Sequence, residues 1–410
     1  MSDQTIPSPF KNKDFRKFLL SRFSFVMATQ MIGVYLSWHM YKLTGSKLSL
    51  GILGLSEIIP AILLALYAGH VIDISDKRTL LLKYMTYYVL AAAGLTFVCS
   101  GKAREMLGIH GVEYSIYVLV FLTGVFRAFT GPTQQSIVAQ LISREQLPQA
   151  ITMGSASWQT AAVIGPILAG LLISWIGIPY AFVFALFFLI LGTVMVAMMP
   201  KLPIANVKNQ RTWGSVKEGI DYVWKTKTLL SALSVDMFAV FFGGAVAMLP
   251  VYAIDILHID AAAMGVLRAA QGIGTVLILF VLTRKPLKGN QGKVMLYNVA
   301  AFGLMVLVFA VSKNFWLSFA ALFFSGVFDA VSMVVRSTII QLFVPDEMRG
   351  RVTSVNSIFI NSSNELGQFE SGVAANLMGT VPSVFFGGIM TIVVVIVAWI
   401  KAPGLRDMEY

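Results

Sequence analysis

Twelve apolar stretches, each long enough to cross a lipid bilayer, leave this chain few folds to choose from. They run over about 18–41, 48–72, 80–100, 113–139, 150–175, 179–199, 229–254, 262–283, 293–311, 315–343, 353–379 and 383–402. A spanning helix needs roughly 20 mostly apolar residues. In hydrocarbon the backbone must satisfy its own hydrogen bonds, so stretches of this length predict helices. Several carry an internal proline (Pro60, Pro132, Pro166, Pro250), which a helix inside a bundle tolerates. The fold class predicted is an all-α membrane protein with twelve transmembrane helices in two six-helix halves. The halves cover 1–200 and 229–410, joined by an amphipathic linker over 201–228.

The two halves repeat one another. Residues 124–148 read GVFRAFTGPTQQSIVAQLISREQLP, and 202 positions on, residues 326–348 read GVFDAVSMVVRSTIIQLFVPDEM. One gap aligns Gln140-Leu141 with Gln341-Leu342, and Gly165-Pro166…Ala169-Gly170 sits opposite Gly367-Gln368…Ser371-Gly372. Two copies of one architecture in a chain with 57% hydrophobic and 12% charged residues point to a membrane transporter. Inside the repeat, Arg127 of the first half is replaced by Asp329 of the second. Divergence of charge within a membrane marks where function sits.

The net charge of +11 is a topology signal. With the N-terminus inside, Lys11, Lys13, Arg16, Lys17, Arg22, Lys77, Arg78, Lys83, Arg144, Lys201, Lys208, Arg211, Lys217, Lys225, Lys227, Arg284, Lys285, Lys288, Lys293, Arg349, Arg351, Lys401 and Arg406 gather on the cytoplasmic side. Lys42, Lys47, Lys102, Arg104 and Lys313 fall opposite. That asymmetry predicts cytoplasmic termini in a cell's plasma (inner) membrane and removes the case for nucleic-acid binding. The start, MSDQTIPSPFKNKDFRKFLL, reads as a lead-in to the first span and not as a cleaved signal. Cys99 stands alone, and the four histidines are scattered, so no metal spacing exists. In the linker, Val216, Ile220, Val223 and Trp224 recur near a helical period with lysines between them, predicting a helix on the cytoplasmic membrane surface.

Ionisable residues inside the predicted spans are Glu57, Arg127, Asp236, Arg268, Asp329, Arg336, Glu365 and Glu370. A charge at the bilayer centre costs roughly 2.5–3.5 kcal/mol on insertion scales, so each should face the bundle or a wet cavity. Asp329 and Arg336 are seven residues apart, hence on one helix face but about 10 Å apart along the axis. Each therefore calls for a partner on another helix. No nucleophile–base–orienter set is present, so the chain does not read as an enzyme. No GxxxxGK[ST] run occurs, so uphill transport would draw on an ion gradient.

Gly69-His-Val-Ile-Asp73-Ile-Ser-Asp76-Lys77-Arg78 resembles the loop signature of the major facilitator superfamily, with Ile74 and Asp76 departing from it. Arg127-x-x-x-Gly131 is similar to that superfamily's span-4 arginine motif, and Gly165-Pro166-x-x-Ala169-Gly170 partly matches its proton-driven exporter motif in span 5. The second half resembles the branch that contains the enterobactin exporter. The matching runs start at Asp236-Met-Phe, Gly265-Val-Leu-Arg268, Asp329-Ala-Val-Ser, Pro345-Asp-Glu-Met-Arg349-Gly350-Arg351 and Ser363-Asn364-Glu365. The resemblance covers essentially the whole chain. It implies a proton-coupled exporter, an antiporter needing no cofactor beyond the proton gradient, with a small molecule, protons and the bilayer as partners.

A coupling proton needs an acid that releases it near neutrality; burial favours the protonated form and a neighbouring arginine the charged one. Asp329 and Glu365 are the leading candidates, then Asp236, with Glu57 and Glu370 behind them. Arg127, Arg336 and Arg268 are their candidate partners. Gly69 is expected to let two helices approach closely, and Asp73, Lys77 and Arg78 to form a charge cluster at the cytoplasmic mouth, with Arg349 and Arg351 as its second-half counterpart. Spans 1, 4, 7 and 10 line the cavity in the superfamily. Here they offer Trp38, Phe126, Phe238 and Phe242 with Gln134, which suits an amphipathic cargo such as a siderophore or drug. The reading is of a carrier that acts as a monomer. Import of nutrients or lysophospholipid on the same fold, and a membrane sensor without flux, are the alternatives.

Overall fold

The computed structural model describes residues 8–203, 213–285, 287 and 289–409. Residues 204–212 of the predicted linker and the start of the N-terminal lead-in lie outside the described residues, as does the side chain of Val216. The described residues are helical throughout their ordered elements. Helices α1 (Lys13–Thr44), α2 (Lys47–Ile74), α3 (Lys77–Val98), α4 (Gly101–Leu141), α5 (Leu147–Ile176) and α6 (Ile178–Ala197) correspond to the first six stretches. After α7 (Trp213–Lys225) come α8 (Lys227–Phe242), α9 (Ala261–Arg284), α10 (Gln291–Val311), α11 (Phe315–Phe343), α12 (Asp346–Met378) and α13 (Thr380–Lys401).

Eleven of the described helices are long and apolar enough to cross a membrane. The remaining predicted span, the eleventh in chain order, is α12, a continuous helix of 33 residues. It falls short on apolarity because Asn361-Ser-Ser-Asn-Glu365 and Gln368…Glu370-Ser371 run through its middle. The seventh span is discontinuous. Helix α8 stops at Gly243, a 3₁₀ turn covers Ala245–Met248, and a π-turn covers Tyr252–Ile256. A side chain at Gly243 would meet the Phe302 ring at 2.5 Å, so the break is packed against α10. Breaks and π-turns of this kind recur at functional places in membrane helices.

The chain divides into two compact units, Met1–His39 with Ser56–Gln210, and Met40–Leu55 with Arg211–Tyr410. The repeat is visible inside each as the same close crossings. In the first unit a Cβ on Gly124 (α4) would stand 2.2 Å from the Glu57 carbonyl oxygen of α2; in the second, one on Gly326 (α11) would stand 1.9 Å from the Gln271 carbonyl oxygen of α9. Likewise Gly165 (α5) presses on Met27 and Gln30 of α1, and Gly367 (α12) on Phe241 of α8. Lipid tails are as apolar as the side chains, so association rests on such close packing more than on a hydrophobic drive. A core of Val223, Leu233, Val299, Val335, Ile339 and Val355 holds the second unit together.

Helix α7 is amphipathic as its spacing predicts. It packs on the start of α12: Arg351 pairs with Glu218, Gly219 rests on the Arg351 backbone, and the Tyr222 hydroxyl donates to the Phe343 carbonyl at 3.3 Å. Val223 is buried, while Ile220 and Trp224 are exposed.

Candidate functional site

Buried charge in the second unit centres on Asp236 of α8 and Arg336 of α11, 4% and 5% exposed, which form an ion pair. Ser332, one turn before Arg336, donates to the same carboxylate at 3.5 Å. A buried pair of this kind tolerates the loss of neither partner alone, because the survivor keeps its desolvation cost without compensation. Asp329 lies on the same helix face, two turns from Arg336 and half-buried. Among the described residues no ion pair reaches Asp329.

The first unit holds its own ion pair at a different position of the repeat. Arg127 of α4 donates to Glu57 of α2 at 2.8 Å, and both side chains are partly exposed. Because Gly124 and Gly326 crown equivalent crossings, the positions compare directly: Glu57 corresponds to Gln271, and Arg127 to Asp329. The first unit thus holds an acid with a base, and the second an amide with an acid. Gln271 also lines a small cavity with Gly243, Val246, Phe302, Met305 and Ser325, beside the break in the seventh span.

The sequence matches the family described as transmembrane secretion effector over residues 4–409. The chain belongs to this family, within the major facilitator superfamily. The chain is 22% identical to the uncharacterized MFS-type transporter YfiS of Bacillus subtilis (strain 168), over 90% of this chain and 88% of that one. It is 21% identical to the enterobactin exporter EntS of Escherichia coli O9:H4 (strain HS), over 96% and 93%. To the staphyloferrin A transporter of Staphylococcus aureus (strain NCTC 8325 / PS 47) it is 22% identical over 93% and 94%. Its fold is that of a D-xylose–proton symporter, with a TM-score of 0.73 at 13% identity over 98% of this chain and all of the other. The chain is a multi-pass membrane transporter and not an enzyme, as the sequence indicated.

Glu365 is buried on α12 and engaged with a neighbour, as is half-buried Arg268 on α9; Glu370 is half-buried one turn beyond Glu365. Trp38 and Gln134 are buried, Phe238 is exposed, and Phe242 meets Phe241 and Phe386 edge-on. Phe126 leans on Tyr84 and Tyr87, in an aromatic group where Tyr84 stacks on Phe129 at 4.1 Å.

The loop after α2 departs from expectation at two points. Among the described residues a Cβ on Gly69 would meet nothing within 4 Å, while the neighbouring Ala68 packs with Ala128 and Phe129. Nor do Asp73, Lys77 and Arg78 form a cluster among the described residues. Arg78 instead donates to the carbonyls of Val196 (3.2 Å) and Ala197, covering the open end of α6. In the second half, Arg349 donates to the Gln341 carbonyl at 3.0 Å.

Asp76, which the superfamily pattern does not expect, holds that corner together. It caps α3 through Arg78 N–H and Thr79, and accepts from Leu202 N–H at 3.2 Å. Burial alone would raise its carboxyl, but the hydrogen bonds from Thr79, Leu202 and Arg78 outweigh it and hold the group below the usual carboxylate range. A depressed folded value means stability that is present above the unfolded value near 3.9 and lost as pH falls through the folded one. Melting of the detergent-purified protein should therefore show Asp76→Asn less stable than wild type at pH 6, with the difference closing toward pH 3. A difference that persists unchanged at pH 3 would contradict this assignment.

Proposed function

We propose that the chain is a proton-coupled exporter of small amphipathic molecules of siderophore or drug type, working by alternating access. Asp329 carries the coupling proton in this reading, and the Asp236–Arg336 pair responds to its charge along the same face of α11. One observation carries the proposal: Asp329 occupies the place of Arg127, opposite Gln271 where the first unit has Glu57, with no ion-pair partner among the described residues. A carboxylate in such a position can change protonation without first breaking a salt bridge, which is what a coupling group needs. Glu365, already engaged with a neighbour, is the second candidate, with Glu370 behind it.

Relatives named for siderophore transport support the cargo class. In this reading the termini are cytoplasmic, as the positive-inside asymmetry suggests, and loading from the cytoplasm is taken from the likeness to the named exporters. Arg349 and Arg351 hold the start of α12 and the linker helix α7, so in this reading they transmit opening at that end.

Everted or reconstituted vesicles with an imposed pH gradient test the proposal, using a panel of siderophores and lipophilic dyes. Flux of at least one cargo against its own gradient, abolished when the pH gradient is collapsed, is the expected result. Flux indifferent to the pH gradient would remove proton coupling.

A further inference from the structure

The turn between the first two helices is seated on elements of the second unit. Helix α1 runs unbroken over Lys13–Thr44 and α2 over Lys47–Ile74, yet the corner between them, Met40–Leu55, belongs to the second compact unit. Three contacts hold it there. A Cβ on Gly51 would stand 3.1 Å from the Phe369 carbonyl oxygen of α12, and one on Gly372 would stand 2.7 Å from the Gly51 Cα. One turn along α2, a Cβ on Gly54 would meet the Gln368 side chain at 3.2 Å. The third contact is polar: the Tyr41 hydroxyl donates to the Asp255 carboxylate.

Asp255 is presented from a fixed support. It sits in the π-turn Tyr252–Ile256 that finishes the seventh span, where Leu257 N–H donates back to the Tyr252 carbonyl at 2.7 Å. Tyr252 is fully buried, and its hydroxyl donates to the Ala310 carbonyl of α10 at 2.9 Å. The stretch of α12 that receives the corner also braces the break in that span, through Ser371 donating to the Gly244 carbonyl at 3.4 Å.

These contacts can be undone without leaving a buried polar group stranded. The glycine crossing is close packing alone. Tyr41 is 7% exposed but Asp255 is exposed, so water can replace their bond when the two part. Because α1 and α2 are continuous rods, the corner cannot stay on α12 if the rest of those helices moves away. We propose that the Tyr41–Asp255 bond is a latch: it keeps the α1–α2 corner seated on α12, and so keeps the carrier shut at the end about 42 Å along α1 from Lys13. The corner lifts off when that end opens, which is the outer end in the reading with cytoplasmic termini. That the latch governs transport rests on the alternating-access proposal above; the seating of the corner does not.

The test places a thiol under the corner, opposite Gly54, as Gln368→Cys in a Cys99→Ser background. A membrane-impermeant thiol reagent is applied to intact cells for the outer side and to inverted vesicles for the inner one. Tyr41→Phe and Asp255→Ala should each speed labelling from the outside about tenfold, the usual effect of one hydrogen bond to a charged group. The double variant should be no faster than either single, since both remove the same bond. Gly372→Ala, which obstructs the seat with the latch residues intact, should also speed labelling. Labelling unchanged in both Tyr41→Phe and Asp255→Ala, or rates that multiply in the double variant, would overturn the latch. Acceleration confined to inverted vesicles would overturn its place at the outer end. Faster labelling in a protein without gradient-driven flux would keep the latch and remove the export reading. Gradient-driven flux with labelling indifferent to both single variants would do the reverse.

Discussion

Replacing Arg336 by glutamine is expected to destabilise the second unit by about 3–5 kcal/mol, the usual result of stranding one member of a buried ion pair. Asp236 is 4% exposed and has, besides Arg336, the Ser332 hydroxyl at 3.5 Å, which is too weak a partner to compensate a lost guanidinium. Asp236→Asn with Arg336→Gln together should recover most of the loss, since both desolvation costs then disappear. Denaturant unfolding in mild detergent measures both. A single variant as stable as wild type, or a double variant no better than the single, would show that the two residues do not act as a pair.

Gly326→Ala should be the most damaging single methyl in the chain's membrane core. The added carbon would stand 1.9 Å from the Gln271 carbonyl oxygen, and the crossing is reciprocal, since one on Gly274 would stand 2.0 Å from the Phe323 carbonyl oxygen. Both obstacles are backbone, so no rotamer change relieves them and α9 and α11 must part. Overpacking in cores costs about 1–3 kcal/mol even where side chains can yield. Loss of folded protein on size-exclusion after detergent extraction is the expected outcome. Gly131→Ala, where a Cβ meets nothing within 4 Å, is the matched control and should behave as wild type.

Most of the fold was open to a reading of the sequence, because length and apolarity suffice to define a spanning helix and the repeat implies two similar halves. The Gly124 and Gly326 crossings show the repeat as packing: the GVF motif begins with the glycine that lets two backbones touch. Polarity along α12 sets the eleventh span apart, since Asn361 to Ser371 is rich in amides, hydroxyls and acids. The discontinuity at Gly243 was signalled by adjacent glycines within an apolar run, a cue that is easily passed over in a membrane helix.

Partners were less accessible than positions. Sequence spacing ruled out a bond between Asp329 and Arg336, but only the fold joins Arg336 to Asp236 and Arg127 to Glu57. The close contact expected at Gly69 is found among the described residues at its neighbour Ala68. Nothing in a linear chain distinguishes the half-buried guanidinium of Arg22 from one at the membrane surface.

The most direct test of the account compares wild type with Asp329→Asn in proteoliposomes, using a cargo found by the vesicle panel and two assays on each protein. Asparagine keeps the size and polarity of the side chain but cannot carry the proton. The account predicts that Asp329→Asn loses accumulation driven by a pH gradient and retains exchange of labelled for unlabelled cargo. Gradient-driven accumulation that survives the substitution would contradict it and move the coupling proton to another carboxylate.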